Sequence, residues 1–123
     1  MAKYAPDAMM DASLDYVALS TLMIACSAQP TNYTEATITF ALADVLMAGG
    51  DFTVGDGHTN GRMVTVGAKN AVNIDATGEA THIALVTTTG TTLRYVTTCD
   101  PHTITAGQTL NFPAWDIAIA DPV

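Results

Sequence analysis

Residues 81–97 read THIALVTTTGTTLRYVT. His82 to Val86 is a short apolar run bounded by threonines, and the spacing predicts a strand. Thr88 to Thr91 supplies a tight turn built around Gly90. Thr92 to Thr97 is rich in Leu, Tyr, Val and Thr, side chains that favour a pleated surface, and is the predicted hairpin partner.

The same texture extends in both directions from this hairpin. Downstream, Pro101 is expected to interrupt the chain, Ile104 to join a short strand, and Ala106 to Gln108 to turn. Leu110 to Phe112 and Trp115 to Ile119 are the last predicted strands, with Asp121 and Pro122 marking the end. Upstream, Ala71 to Ile74, Arg62 to Val66 and Phe52 to Val54 read as short strands separated by turn residues. Gly49 and Gly50 end an earlier segment in which Ala36 to Leu42 is rich in Thr and Ile. Ala41 to Met47 reads equally as strand or short helix. Leu22 to Ser27 is an apolar run that predicts a buried strand, broken by Gln29 to Asn32.

The N-terminal segment differs. Pro6 and Asp7 resemble a helix start, and Asp7, Asp11 and Asp15 place negative charge in its first half. Met10, Leu14, Val17 and Thr21 recur at helical spacing, so a helix over 7–21 is predicted, its apolar face packing on the sheet or on a neighbouring subunit. Met1 to Pro6 is expected as an extended arm. Many short strands punctuated by turns, without alternating long helices, predict a mainly β chain. The expected fold is an antiparallel β-sandwich, jelly-roll or immunoglobulin-like, with one N-terminal helix. It forms a single domain over 1–123, with the sandwich over 22–123.

Charge excludes several functions. The chain has 12 acids against 4 bases, a net charge of −8, and only 13% charged residues. Lys3, Arg62, Lys69 and Arg94 form no cluster, and phosphate recognition needs one, so no nucleic-acid partner is expected. An anionic membrane surface would repel the chain. No run reaches the roughly 18 apolar residues of a membrane span. MAKYAPDAMMDAS lacks a basic region followed by a long apolar core, so no secretory signal is expected. The low charge leaves much surface to Thr, Ser, Asn, Gly and Ala, a surface that either lies against other subunits or is simply a Thr-rich sheet.

Little in the chain reads as chemistry. One disulfide between Cys26 and Cys99 is geometrically possible, but without a secretory signal free thiols are the expectation, and without a nearby His pair they make no zinc site. His58, His82 and His102 are the candidate bases, and none of Ser13, Ser20 and Ser27 sits in a nucleophile elbow. Asp56 to Gly61 is the densest polar cluster. Asp56 and His58 are candidate metal ligands there, but Asp-Gly and Asn-Gly pairs are what a tight turn needs. The acids are spread over the helix and turns, and no glycine-rich phosphate loop follows a strand. No enzyme, cofactor or metal is therefore expected.

Thr81 to Val86, then Gly90, Leu93, Tyr95 and Val96, then Ile104 to Leu110, Phe112 and Pro113 form an ordered series of blocks. Together with Leu14 to Tyr16 and Cys26 to Pro30, this series resembles small structural proteins of tailed bacteriophages, of the capsid-decoration (cement) or tail-fibre-like kind. The resemblance covers the C-terminal third best, and its motifs are strands and turns. It implies a virion structural protein, assembled in the host cytoplasm, whose partners are the major capsid protein (or tail proteins) and copies of itself. Acidity favours the outer head surface, and the absence of shaft-like repeats disfavours a long fibre. Met1, Ala2, Lys3 and Tyr4, with Met10, Leu14 and Val17, are the candidate bridging residues. Deleting Met1 to Tyr4 is then expected to weaken particle binding without unfolding the domain. Alternatives are a receptor- or carbohydrate-binding module, with Trp115, Tyr95 or Tyr33 on a concave face, and a small hydrolase with a histidine beside a carboxylate.

Overall fold

The computed structural model describes residues 6–120. The fold is mainly β, with antiparallel sheets and one α-helix near the N-terminus, in a sandwich-like arrangement. In chain order the elements are α1 (Asp7–Ala18), β1 (Leu22–Cys26), β2 (Ala41–Leu46), β3 (Phe52–Asp56), β4 (Arg62–Val66), β5 (Lys69–Asn73), β6 (Gly78–Thr87), β7 (Thr92–Ile104), β8 (Thr109–Phe112) and β9 (Trp115–Ile119). A four-stranded sheet runs β2-β1-β6-β7, a three-stranded sheet β3-β4-β9, and a two-stranded ribbon β5-β8.

The hairpin that decided the reading is β6–β7, with Leu85 opposite Tyr95 and Ala84 opposite Val96. It is longer than expected at both ends. β7 passes through Pro101 rather than stopping there. Two residues of β6, Ala80 and His82, pair with His102 and Thr98, so the intervening stretch of β7 bulges and Pro101 falls within the bulge. β7 is also the last strand of its sheet. A missing N–H costs no ladder bond at such a position.

The main core lies between the sheets. Met23, Ala25 and Leu85 from the first sheet meet Val64, Val66 and Ile117 from the second and Val72 and Phe112 from the ribbon. The first sheet is buried on its other face too. Ile24, Cys26, Ala84 and Val86 are fully covered there by the segment that follows β1, with Ala36, Tyr33 and Phe40 against them. This double burial explains why β1 (LMIAC) and the centre of β6 (IALV) are unbroken apolar runs rather than alternating ones.

The covering segment is not a strand. Glu35–Thr39 forms a π-helical turn, started by the Asn32 side chain, which accepts from the Glu35 N–H at 2.8 Å. The Glu35 carboxylate in turn accepts from the Thr31 N–H and hydroxyl at 2.8 and 2.7 Å. Those bonds hold its pKa below the usual carboxylate range. Ala41–Leu46, ambiguous in sequence, is a strand paired with β1.

α1 ends at Ala18, three residues earlier than expected. Ser20 Oγ donates to the Val17 carbonyl at 2.7 Å, and the Thr21 N–H already donates to the Val86 carbonyl at 2.9 Å. Thr21 therefore belongs to the approach to β1, not to the helix face. Met10, Leu14 and Val17 are buried in the chain's own core. Burying each contributes about 1.5–3 kcal/mol, enough to hold a helix whose N-terminus has no side-chain cap.

Candidate functional site

The described cations are all engaged within the domain. Arg62 Nε donates to Asp11 Oδ1 at 2.7 Å, Nη2 to Asp11 Oδ2 at 3.2 Å, and Nη1 to Asp56 Oδ1 at 2.6 Å. This fork ties α1 to β4, and its carboxylates push the guanidinium pKa up. Lys69 Nζ lies 3.0 Å from Asp51. The Ala48 N–H, and then Lys69, hold the Asp51 carboxyl below its ordinary range. The Arg94 guanidinium stacks 4.3 Å above the Tyr16 ring while Nη1 donates to the Tyr16 carbonyl at 3.1 Å and Nε donates to Thr87 Oγ1. The outward field of the described surface is left to the acids.

The polar loop 55–61 is a turn. The Gly57 N–H donates to the Gly61 carbonyl at 2.9 Å, and Gly61 has φ +71°. Asp56 and His58 part company: Asp56 goes to Arg62, and His58 Nε2 meets Asp116 Oδ2 at 2.9 Å. His58, then the Thr65 hydroxyl, lower the Asp116 pKa. A histidine thus stands beside a carboxylate, as a hydrolase would need, but the imidazole is 74% exposed. It sits on a shallow hollow with Thr59, Asn60, Ala118 and Ala120. Among the described residues no three metal-ligating side chains gather. His82 Nδ1 is within 2.8 Å of the hydroxyl of its neighbour Thr81, and His102 is exposed.

A second hollow brings Asp44 and Asp75 together beside Asn70 and Asn73. Burial first, then the Asp75 charge, raise the Asp44 pKa. Ala71, in the same wall, has φ +55°.

Of the residues expected to bridge to a partner, Met1, Ala2, Lys3 and Tyr4 lie outside the described residues. Met10, Leu14 and Val17 face inward, so the domain uses this helix face itself. The reason is packing: Leu14 and Val17 close the main core against the sheets, and Met10 is buried beside them on the same helix. Exposed apolar side chains lie elsewhere. Met9, Tyr16 and Leu19 are 55, 47 and 62% exposed on the outer side of α1, and Ile38 and Leu46 are 74 and 76% exposed.

Of the three aromatics named for a binding face, two meet and one does not. Tyr95 and Trp115 stack with centroids 6.1 Å apart and planes at 29°, while Tyr33 packs on the opposite face of the first sheet. Trp115 forms one wall of a space of about 320 Å³ with Ile83, Thr97, Cys99 and Pro113. A second space of about 350 Å³ shares Ile83, Cys99 and Pro113 and continues between Ala80, Ile104, Leu110 and Phe112. The two spaces adjoin at those three side chains, and Asp100, His102 and Asn111 also line the second. Trp115 Nε1 is buried and donates to no partner among the described residues.

Both cysteines are free thiols, Cys26 buried and Cys99 half-buried where the two spaces adjoin. Burial, then Cys99, push the Cys26 thiol up to about 12. Burial, then Asp100, raise Cys99. Neither is a poised nucleophile, which needs a lowered pKa. The adjoining spaces escaped the sequence reading because their walls come from segments separated by many residues.

Compared with protein-family models, with curated proteins and with solved structures, the chain finds no match.

Proposed function

We propose that this chain is a non-catalytic assembly domain, a structural protein of a bacteriophage virion that decorates the outer head surface in many copies and cements it. The observation that carries the reading is the outer side of α1. The inner face of α1 is buried in the chain's own core, while Met9 on its outer side and Leu19, just past its end, lie more than half exposed beside Tyr16, whose ring is covered on one face by Arg94. Only 13% of the chain is charged, and the described cations are paired internally. An apolar stripe on such a surface supports docking on another protein rather than turnover of a small substrate. The resemblance of the strand-and-turn blocks to tailed-phage structural proteins supplies the particle. Many weak contacts add through multivalency, so a modest patch on each copy suffices to hold neighbouring capsomers together.

The test is binding to particles that lack the protein. Wild-type chain is expected to co-sediment with heads and raise their resistance to heat. Leu19→Asp, at a position 62% exposed, is expected to fold normally and bind at least tenfold more weakly. Equal binding by both removes the helix surface from the account. Binding to tails and not to heads turns the reading to the tail-associated alternative.

A further inference from the structure

We propose that Asn60 is a self-modifying site: its side-chain amide is lost without an enzyme, leaving aspartate and isoaspartate in the turn between β3 and β4. The chemistry is independent of the assembly reading.

The chain has five asparagines, and only Asn60 is followed by a glycine. In this reaction the backbone nitrogen of the next residue attacks the asparagine Cγ. A new N–Cγ bond forms and the Cγ–Nδ2 bond breaks. Ammonia leaves, carrying the backbone N–H proton, and a cyclic imide remains. Water opens the imide at either carbonyl, one opening giving aspartate and the other isoaspartate. The sum is amide plus water to acid plus ammonia, with no oxidant or reductant. A side chain on the attacking residue crowds the ring, and glycine has none.

The fold separates Asn60 from the other candidates. Asn111 Oδ1 accepts from the Ala71 N–H at 2.9 Å, and Asn32 Oδ1 from the Glu35 N–H at 2.8 Å. The Ile74 N–H, which would attack Asn73, donates to the Gln108 carbonyl at 3.0 Å. Asn70 lies within β5 and precedes Ala71, which has a side chain. Asp56–Gly57 could form the same imide, but Arg62 holds the Asp56 carboxylate at 2.6 Å, and an ionised carboxylate is a poor electrophile. The Gly57 N–H is also engaged, donating to the Gly61 carbonyl at 2.9 Å. Asn60 is exposed and lies outside both strands, since β3 ends at Asp56 and β4 begins at Arg62. Loop backbone of this kind rearranges at lower cost than a strand.

The turn also keeps the labile pair in place. Gly61 has φ +71°, and a Cβ there would collide with the Ile119 carbonyl, so the attacking residue has to be glycine. Conversion adds a negative charge to the hollow lined by His58, Thr59, Ala118 and Ala120, where His58 meets Asp116. Isoaspartate further lengthens the main chain inside the turn closed by Gly57 and Gly61.

The full chain, held in mildly alkaline buffer, tests this by peptide mass mapping and labelling with isoaspartyl methyltransferase. Asn60 is expected to convert at least roughly tenfold faster than any other asparagine, a barrier difference of about 1.4 kcal/mol, and to give both products. The Asn60 side chain is engaged within the fold, and a parallel sample in urea shows how far that slows the step. The folded rate is expected within roughly tenfold of the unfolded one, and a slower folded rate overturns the proposal. Asn60→Gln, whose longer side chain closes the ring far more slowly, should abolish the labelling. Labelling that persists in Asn60→Gln assigns the isoaspartate to Asp56 and overturns the proposal. Conversion at Asn60 no faster than at Asn32 or Asn111 overturns it, as does aspartate formed without isoaspartate.

Discussion

Replacing Leu14 with alanine tests how α1 is held. Leu14 is 1% exposed and packs in the main core, whereas Met9, on the same helix, is 55% exposed. Removing a buried leucine side chain loses its transfer free energy and leaves a cavity, a cost of about 2–5 kcal/mol. The site is walled by sheet side chains that cannot all collapse inward, so about 3 kcal/mol is expected. A domain of this size loses roughly 3–5 °C of Tm per kcal/mol, which gives a fall of roughly 9–15 °C. Met9→Ala should cost less than about 0.5 kcal/mol, as exposed positions do. Urea unfolding followed by Trp115 emission measures both, and the dependence on denaturant should keep its slope. Equal costs for Leu14→Ala and Met9→Ala, or a Leu14→Ala cost below about 0.5 kcal/mol, would refute the docking of this helix face on the chain's own core.

Three further outcomes are expected. Gly61→Ala would set a Cβ 1.9 Å from the Ile119 carbonyl oxygen at φ +71°, so a loss above about 2 kcal/mol should appear in the same unfolding assay. Thr91→Gly should stabilise by about 0.5–1 kcal/mol, because a β-branched residue at φ +50° is strained and glycine is not. The pH dependence divides by sign. Asp51 and Asp116 have lowered pKa values, so their stabilisation is present above the ordinary carboxylate range and lost as pH falls through their folded values. Asp44 is raised, so it opposes folding once ionised. Asp44→Asn should stabilise at neutral pH and change little below the carboxylate range, read from melting curves across pH.

The hairpin over 81–97 was legible because its apolar run and Gly90 turn are local signals. The helix start at Pro6 and Asp7 was legible for the same reason. Pro101 misled because a proline's cost depends on whether its N–H is needed, and that depends on which strand ends the sheet. The turn at 35–39 hid behind its Thr and Ile content. Asn32 three residues before Glu35 is the capping pattern that marks it. The helix periodicity of Met10, Leu14 and Val17 was correctly apolar, but periodicity alone does not say whether the covering surface belongs to the same chain. The adjoining spaces and the His58–Asp116 pair depend on contacts between distant segments, for which a single sequence carries no signal.

The central claim is that this domain functions as one of many copies bound to a particle. Counting its copies in purified virions by quantitative mass spectrometry, with their position fixed by imaging, tests it most directly. Hundreds of copies on the outer head surface are expected. Absence of the chain from purified particles would contradict it.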